Sequence, residues 1–153
     1  MTQLLTNQDK FGKIDRIGRN YFALEFAELL ESDLFERVEG RFGMIASNPP
    51  YIRTSVISGL KEEVRLHDPL LALDGKEDGL FFYRKIIQES PDYLTDGGYL
   101  LFEIGYDQGQ AVSELMRTEG YREVQVVQDY AGLDRVVFGT YVTVQPAPFA
   151  KSR

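Results

Sequence analysis

The sequence predicts an α/β fold with a partly parallel sheet that ends in an antiparallel hairpin. Two almost continuously apolar runs, residues 42–46 and 99–104, lack the polar alternation of a half-exposed strand, which is typical of parallel strands covered on both faces. Two patterns with helical spacing separate these runs. Residues 121–130 alternate between apolar and polar, and a short turn joins them to residues 135–142, which indicates a hairpin.

The chain before the first apolar run is less informative. Residues 1–20 are mostly polar, with scattered Leu, Ile and Phe, and predict a loop or frayed end. Residues 21–30 fit a short helix or, from residue 24 onward, an edge strand, because the spacing of their apolar side chains suits both. We therefore expect one domain of residues 21–142, preceded by the polar segment and followed by a tail of residues 143–153.

The first apolar run leads directly into Asn48-Pro49-Pro50-Tyr51. Proline cannot donate a backbone hydrogen bond, so the strand must stop here, and the carbonyl groups of Asn48 and Pro49 are left free to accept. The Asn48 side chain adds an acceptor and Tyr51 adds a flat aromatic wall. Such a cluster suits a planar NH2 group, and we expect it to line a polar cleft at the strand end, where open α/β sheets bind ligands. The alternative is an ordinary turn, since Asn-Pro dipeptides mark turns in many unrelated proteins.

Three helices are predicted after this loop. Residues 55–66 have the apolar spacing of a short amphipathic helix. A second helix begins near Asp78, an acceptable N-cap, and Pro91 should kink it or end it near Ser90. A third helix covers residues 108–119 and ends at Gly120, which suits a left-handed cap.

Two turns are predicted between these elements. A loop runs from Pro69 through Asp74-Gly75, and Asp96-Gly97-Gly98 forms a tight turn before the second apolar run. Both contain an Asp-Gly pair, which is typical of turns.

The composition limits the classes of function. A net charge of −7 disfavours the phosphate-neutralising surface of nucleic-acid binders, although a local basic patch remains open. The absence of cysteine excludes disulfides, thiol nucleophiles and thiolate zinc sites, and we expect no metal. No apolar run approaches the ~20 residues of a membrane span, and the start lacks the layout of a secretion signal, so we expect a cytoplasmic protein.

Asn-Pro-Pro-Tyr after an apolar strand resembles the signature of S-adenosylmethionine-dependent methyltransferases that act on nitrogens of planar groups: adenine, guanine or the glutamine amide. The tetrapeptide alone does not choose among them. The stretches that follow, in their order, resemble the HemK/PrmC family, which methylates the glutamine of the Gly-Gly-Gln loop in peptide-chain release factors. These stretches are Glu63–Pro69, Ala72–Gly75, Asp78–Leu80, Tyr83-Arg84, Gly97-Gly98, Glu103–Gly105 and Asp134–Val137.

The resemblance implies a fold, a cofactor, a partner and a set of site residues. The fold is a partial Rossmann-like class I methyltransferase sheet, the cofactor is S-adenosylmethionine, and the partner is a release factor. The catalytic residues are Asn48, Pro49, Pro50 and Tyr51, and Asn48 also contacts the cofactor. Asp33 and Leu34 flank the adenine of the cofactor in this interpretation. From the local sequence, a solvated acidic turn with an inward Leu-Phe pair fits equally well.

One expected element is missing from the sequence. Methyltransferases of this kind receive the methionine end of the cofactor on a Gly-x-Gly loop, and the glycines ahead of Asn48 include no such pair. We therefore expect the chain to correspond to the carboxyl-terminal part of the catalytic domain. The strand at residues 42–47 would then lack its parallel neighbour, and self-association or low stability should follow unless residues 20–32 fold back over its edge.

Two other functions remain open. The first is an adenine or guanine N-methyltransferase that uses the same loop on nucleic acid, against which the negative charge and the Glu63–Pro69 stretch both speak. The second is a non-enzymatic truncated remnant that folds and binds a partner but cannot bind cofactor. A titration with S-adenosylmethionine separates the enzyme from the remnant.

Overall fold

A computed structural model describes residues 4–6, 30–57, 59 and 70–143, with the backbone alone for 4–6, 70 and 71. The predictions made for residues 21–29 and the Glu63–Pro69 stretch lie outside these ranges. The helices and strands are β1 (Leu4–Thr6), β2 (Phe42–Ser47), α1 (Thr54–Ile57), α2 (Leu70–Leu73), α3 (Phe81–Glu89), β3 (Leu94–Glu103), α4 (Gly109–Thr118), β4 (Arg122–Gln128) and β5 (Asp134–Thr140). None of the helices in the described ranges is long and apolar enough to cross a membrane.

The strands form one five-stranded sheet in the order β1-β2-β3-β5-β4. Strands β2 and β3 are parallel, and β5 pairs antiparallel with both β3 and β4. This arrangement confirms the predicted partial Rossmann-like sheet that ends in an antiparallel hairpin. Because β2 and β3 are parallel and β5 is antiparallel to β3, the β4–β5 turn lies at the same end of the sheet as the carboxyl ends of β2 and β3.

Strand β1 corrects the prediction that residues 1–20 form only a loop or frayed end. It pairs antiparallel with β2, with Leu4 opposite Ala46 and Thr6 opposite Met44. Backbone groups at an open strand edge need partners, and this short strand supplies them. The sequence analysis expected such cover from residues 20–32, whereas residues 4–6 supply it along residues 44–46. The argument for self-association assumed an open strand edge, and β1 covers that edge from Met44 to Ala46.

Within the described part of the chain, the two apolar runs are deeply buried on one face and partly exposed on the other, which differs from the predicted cover on both faces. In β2, Ile45 and Ser47 are buried, whereas Met44 is 37% exposed. Tyr99 of β3, which pairs with Met44, is 38% exposed. Among the described elements, α3 and α4 supply the buried apolar surface of one layer, and the pleat turns every second side chain away from it.

The buried face packs against α3 and α4. Tyr83 of α3 meets Phe102 of β3 edge to face, with ring centroids 5.1 Å apart. Val112 and Met116, spaced four residues apart on α4, are fully buried. Each such side chain contributes roughly 1.5–3 kcal/mol through burial, so this face holds the sheet and helices together.

The helix boundaries differ in part from the predictions. Helix α1 confirms only the start of the predicted 55–66 helix, whose remainder lies largely outside the described ranges. Helix α2 stands where a loop was predicted. Helix α3 begins at Phe81, not at Asp78, because the Asp78 carboxylate accepts the Leu80 N–H at 3.0 Å and pairs with Arg84. A 3₁₀ turn containing Pro91 ends α3, as predicted.

The turn predicted at residues 96–98 is absorbed into β3. Gly97 has a φ of +75°, and its N–H donates to the Tyr141 carbonyl at 2.8 Å. The Tyr141 N–H returns a 2.8 Å bond to Gly98, so the irregular segment remains part of the ladder. The third predicted helix is confirmed as α4, which is followed by Gly120 at a φ of +91°.

Candidate active site

The Asn48–Tyr51 loop leaves the carboxyl end of β2, as the sequence predicts. Strand β2 has a neighbour on each side, so the loop emerges from within the sheet and not from its edge. Asn48 is exposed, Tyr51 is half-buried, and Pro49 and Pro50 are buried. The prolines end the ladder because they carry no N–H, and their burial holds the exposed Asn48 in place.

The Asn48 side chain is hydrogen-bonded to Glu103 at the end of β3. The Nδ2 atom of Asn48 donates to the Glu103 carboxylate at 3.0 Å. The parallel register explains the contact: Ser47 pairs with Phe102, so the next residue on each strand lies beside the other and on the same face. Among the described residues, none donates a hydrogen bond to Asn48 Oδ1, which leaves this oxygen as a free acceptor.

Pro49 is less accessible than the sequence suggests. Its relative exposure is below 2%, and its carbonyl accepts no hydrogen bond from the described residues. The carbonyl is therefore unpaired but covered. Its role as a second acceptor stays a prediction, and it requires the loop to open when a ligand enters.

The pKa of Tyr51 is affected by two charged residues, Glu103 at the end of β3 and Arg135 near the start of β5. Partial burial raises the pKa of the Tyr51 phenol, the Glu103 carboxylate raises it further, and Arg135 opposes the rise. The phenol is therefore neutral at physiological pH. Arg135 is held at the start of β5 by Asp129, whose carboxylate accepts its Nε–H at 2.7 Å.

A second segment, residues 73–79, braces the loop through its backbone. The Ile52 N–H donates to the Leu73 carbonyl at 3.0 Å, and Gly75 N–H donates to the Ile52 carbonyl at 2.8 Å. A Cβ on Gly75 would lie 2.8 Å from the Tyr51 backbone, so only glycine permits this approach. The turn predicted at Asp74-Gly75 is thus also a contact surface for the Asn48–Tyr51 loop.

Asp74 holds the turn of this brace. Its carboxylate accepts the Thr54 hydroxyl at 2.6 Å and the Lys76 N–H at 3.0 Å. The Thr54 hydroxyl and then the Lys76 N–H lower the pKa of Asp74. These bonds keep Lys76 at a φ of +70°, a conformation that costs about 1 kcal/mol or more for a residue with a side chain.

Gln108 joins the loop, the brace and β3. Its Nε2 donates to the Tyr51 carbonyl at 3.1 Å and to the Gly79 carbonyl at 3.2 Å, while its Oε1 accepts the Gly105 N–H at 3.0 Å. The Tyr83 hydroxyl lies 3.4 Å from the same Oε1 and 2.9 Å from the Glu103 carbonyl. Gln108 is 5% exposed and fully hydrogen-bonded, so it fixes the position of the loop backbone.

Gly79→Ala should disrupt the loop strongly. A Cβ there would lie 2.5 Å from the Tyr51 carbonyl oxygen and 2.8 Å from Gln108 Nε2, at a backbone φ of +76°. Gly97→Ala is the matched control, because Gly97 has a φ of +75° and nothing within 4 Å of a Cβ. We expect a loss in the free energy of unfolding of about 2–5 kcal/mol for Gly79→Ala and about 1–2 kcal/mol for Gly97→Ala.

Urea unfolding of the two variants measures this difference. Both variants carry the same conformational cost, so the excess for Gly79→Ala reports the close approach to Tyr51. Equal shifts of the two unfolding midpoints would show that Gly79 does not press against the loop.

Asp33 and Leu34 lie in a turn that precedes β2 in the chain. Asp33 is exposed, and Leu34 is 7% exposed within the hydrophobic core. Phe35 stacks on Tyr93 at 4.5 Å, and Tyr93 immediately precedes β3, so the turn packs near the amino ends of β2 and β3. The structure thus shows an exposed Asp33 beside an inward Leu-Phe pair. Their role in binding a cofactor stays a prediction.

A cavity of about 490 Å³ lies beside the brace, with Asn48 outside its lining. It is lined by Lys76, Glu77, Asp78, Phe81 and Arg84. Asp78 and Arg84 form an ion pair across it, which lowers the pKa of Asp78. The described part of the chain therefore provides the loop and its supports, while the cleft predicted around Asn48 stays a prediction.

Sequence reasoning missed the parts played by Glu103 and Gln108. Glu103 appears in the sequence as the polar residue near the end of the apolar run 99–104, and Gln108 as the start of a helix. Their contacts with residues 48–51 join positions more than 50 apart in the chain, at separations of 55 for Glu103 and 57 for Gln108. A polar residue at the carboxyl end of each of two parallel strands was the available signal, because such residues meet at one edge of the sheet.

Comparison with known proteins identifies similar sequences, although no protein-family model matches the chain. The chain is 46% identical over 110 residues to a release factor glutamine methyltransferase of Agrobacterium fabrum, which is 72% of this chain and 38% of that protein. It is 52% identical over 98 residues to the one of Caulobacter vibrioides, 64% of this chain and 34% of that protein. The match to the one of Clostridium acetobutylicum is 40% over 131 residues, 84% of this chain and 45% of that protein. The chain thus spans less than half the length of these curated relatives.

Proposed function

This chain is related in sequence to the release factor glutamine methyltransferases, as its HemK/PrmC-like motifs predict, and we propose that it carries the substrate half of such an enzyme's active site. The reaction is methyl transfer to the side-chain amide nitrogen of a glutamine in a release factor. S-adenosylmethionine supplies the methyl group. The catalytic part covers residues 21–142, with residues 1–20 and 143–153 as flanking segments. The supporting observation is that Glu103 holds the NH2 of Asn48, at the end of β2, while no residue in the described part of the chain donates to its side-chain oxygen.

The described residues do not form a complete site for the cofactor. The sequence ahead of Asn48 contains no Gly-x-Gly, and the contact of Asp33 and Leu34 with the adenine stays a prediction. The mechanism is therefore limited to what this chain does to the glutamine amide.

An amide nitrogen is a poor nucleophile because resonance with its carbonyl ties up the lone pair. Asn48 Oδ1 can accept one N–H of the glutamine amide and hold the NH2 in a single orientation. Tyr51, a neutral and half-buried aromatic, flanks the same position and excludes water from one side. Holding the nitrogen in an attack geometry lowers the barrier without a general base, since the proton can leave after transfer. The Pro49 carbonyl becomes a second acceptor only if the loop uncovers it.

The rival substrate is the exocyclic NH2 of adenine or guanine, which presents the same planar donor. The net charge of −7 opposes binding to a polyanion. The other rival is a remnant without activity, and it predicts that no substrate is methylated under any condition.

The test is a methylation assay on the chain, mixed with the separately expressed amino-terminal part of the Agrobacterium fabrum relative to supply cofactor-binding residues. Three substrates are compared: a peptide that contains Gly-Gly-Gln, the same peptide with Gly-Gly-Glu, and a single-stranded oligonucleotide rich in adenine. We expect methyl incorporation into the Gly-Gly-Gln peptide alone. Incorporation into the oligonucleotide would show that the substrate is a nucleic acid. Incorporation into the Gly-Gly-Glu peptide would show that the site does not select the glutamine amide.

A further inference from the structure

We infer that Glu103 is a positioning residue of this site, which decides which atom of the Asn48 amide faces the substrate. The inference rests on the proposed role of Asn48 as the acceptor for the glutamine NH2. Glu103 touches neither the substrate nor the cofactor in this assignment. It acts through its hydrogen bond to Asn48 Nδ2, which is 3.0 Å long.

An asparagine amide has two ends of nearly the same shape and opposite hydrogen-bonding character. One end accepts through Oδ1, and the other donates through Nδ2. If Nδ2 faced the substrate, two NH2 groups would meet, and neither could accept. An unsupported Asn48 could adopt both orientations about its terminal torsion, which is broad and roughly two-fold.

The Glu103 carboxylate removes this ambiguity because it can only accept. Whichever way the amide rotates, the favourable arrangement turns Nδ2 toward Glu103 and Oδ1 away from it. A hydrogen bond to a charged acceptor is roughly twice as strong as one between neutral groups. The same bond polarises the amide and strengthens Oδ1 as an acceptor, since hydrogen bonds in a chain reinforce one another.

Glu103 is itself held on rigid elements. The Tyr83 hydroxyl donates to its carbonyl at 2.9 Å, and Val136 of β5 pairs with it across the ladder. The next residue, Ile104, donates its N–H to the Arg135 carbonyl at 3.0 Å. A carboxylate on a strand fixed from both sides can orient a neighbouring loop side chain more sharply than one on a free loop.

The first experiment is a nuclear magnetic resonance measurement on the 153-residue chain. One of the two Asn48 Nδ2 protons should resonate downfield in the wild type and lose this shift in Glu103→Ala. Glu114→Gln is the matched control, because Glu114 accepts from the side-chain amide of Gln110 at 2.9 Å on the surface of α4. It should leave the Asn48 signals unchanged. An Asn48 side-chain amide that is unaffected by Glu103→Ala overturns the inference without any need for activity.

The second experiment is a double-mutant cycle in the complemented methyltransferase. We expect Glu103→Ala to lower kcat roughly 10–100-fold with little change in KM for the peptide, the range seen when partners that orient a reacting ligand are removed from metal sites. Because Glu103 acts through Asn48, the double variant Asn48→Ala, Glu103→Ala should be no slower than Asn48→Ala alone. Glu114→Gln should retain wild-type turnover.

The outcomes separate this inference from the proposed function. Additive losses in the double variant, or wild-type kcat in Glu103→Ala, overturn the role of Glu103 alone. Wild-type turnover in Asn48→Ala overturns the role of Asn48 and this inference with it. Should Glu103→Ala fail to fold, Glu103→Gln keeps the shape and serves in its place: its own NH2 can bind Asn48 Oδ1, so it should also lower kcat.

Discussion

Asn48→Ala should lower turnover roughly 10²–10³-fold in a methyltransferase that contains this segment. The variant removes a preorganised acceptor at the reacting centre, a loss comparable in kind to that of an oxyanion-hole donor. It also leaves the Glu103 carboxylate without its partner at 3.0 Å. The measurement is the rate of methyl incorporation into the Gly-Gly-Gln peptide at saturating substrate. Folding should change little because the Asn48 side chain is exposed.

Ser47→Ala is the matched control for this prediction. Ser47 is the neighbouring residue on β2, and its hydroxyl is buried without a hydrogen-bond partner in the described part of the chain. Removing an unpaired buried hydroxyl should leave activity intact and should not lower the unfolding midpoint. If Asn48→Ala turned over substrate like the wild type, Asn48 would be only a turn residue and the proposed site would be wrong.

The isolated chain should bind S-adenosylmethionine several orders of magnitude more weakly than a complete class I site does. Its sequence contains no Gly-x-Gly ahead of Asn48, so the methionine end and ribose of the cofactor find few partners. Hydrogen bonds to charged groups contribute ~1.5–3 kcal/mol each, and the loss of two or three weakens binding by roughly 10²–10⁶-fold. We therefore expect no micromolar affinity and no methylation by the chain alone.

Isothermal titration calorimetry of the chain with S-adenosylmethionine measures this affinity, and addition of the amino-terminal part of a relative should restore it. Asp33→Ala is the informative variant, because Asp33 is exposed near the amino ends of the strands. It should weaken binding in the complemented protein if Asp33 flanks the adenine, and unchanged binding would contradict this predicted role. A micromolar dissociation constant for the lone chain would mean that residues 1–30 build a cofactor site of a different kind.

The sequence predicted the position of the Asn48–Tyr51 loop and the hairpin because both depend on local chemistry. Two prolines end a strand wherever it lies, so the position of Asn48 after β2 followed from its immediate neighbours. The alternation at residues 121–130 and the turn after it likewise specify β4 and β5. Helix α4 followed from its apolar spacing and from Gly120 beyond its end.

The wrong predictions concern features that depend on what lies next to an element. The sequence of an apolar strand does not specify whether other elements pack on one of its faces or on both. Met44, in the first apolar run, remains 37% exposed. A polar segment with few apolar residues can still pair as an edge strand, because β1 contributes backbone groups and not side chains to the ladder.

The sequence by itself determined the chemistry at the end of β2: an amide, two prolines and an aromatic ring in four consecutive residues. Only the tertiary structure decided how the Asn48 side chain and the loop backbone are oriented. The parallel register of β2 and β3 brings Glu103 to the Asn48 amide, and the start of α4 brings Gln108 to the Tyr51 carbonyl. These contacts join residues more than 50 positions apart, at separations of 55 and 57. Side-chain type and local spacing do not specify strand register, so the orientation of the Asn48 side chain is determined by the fold.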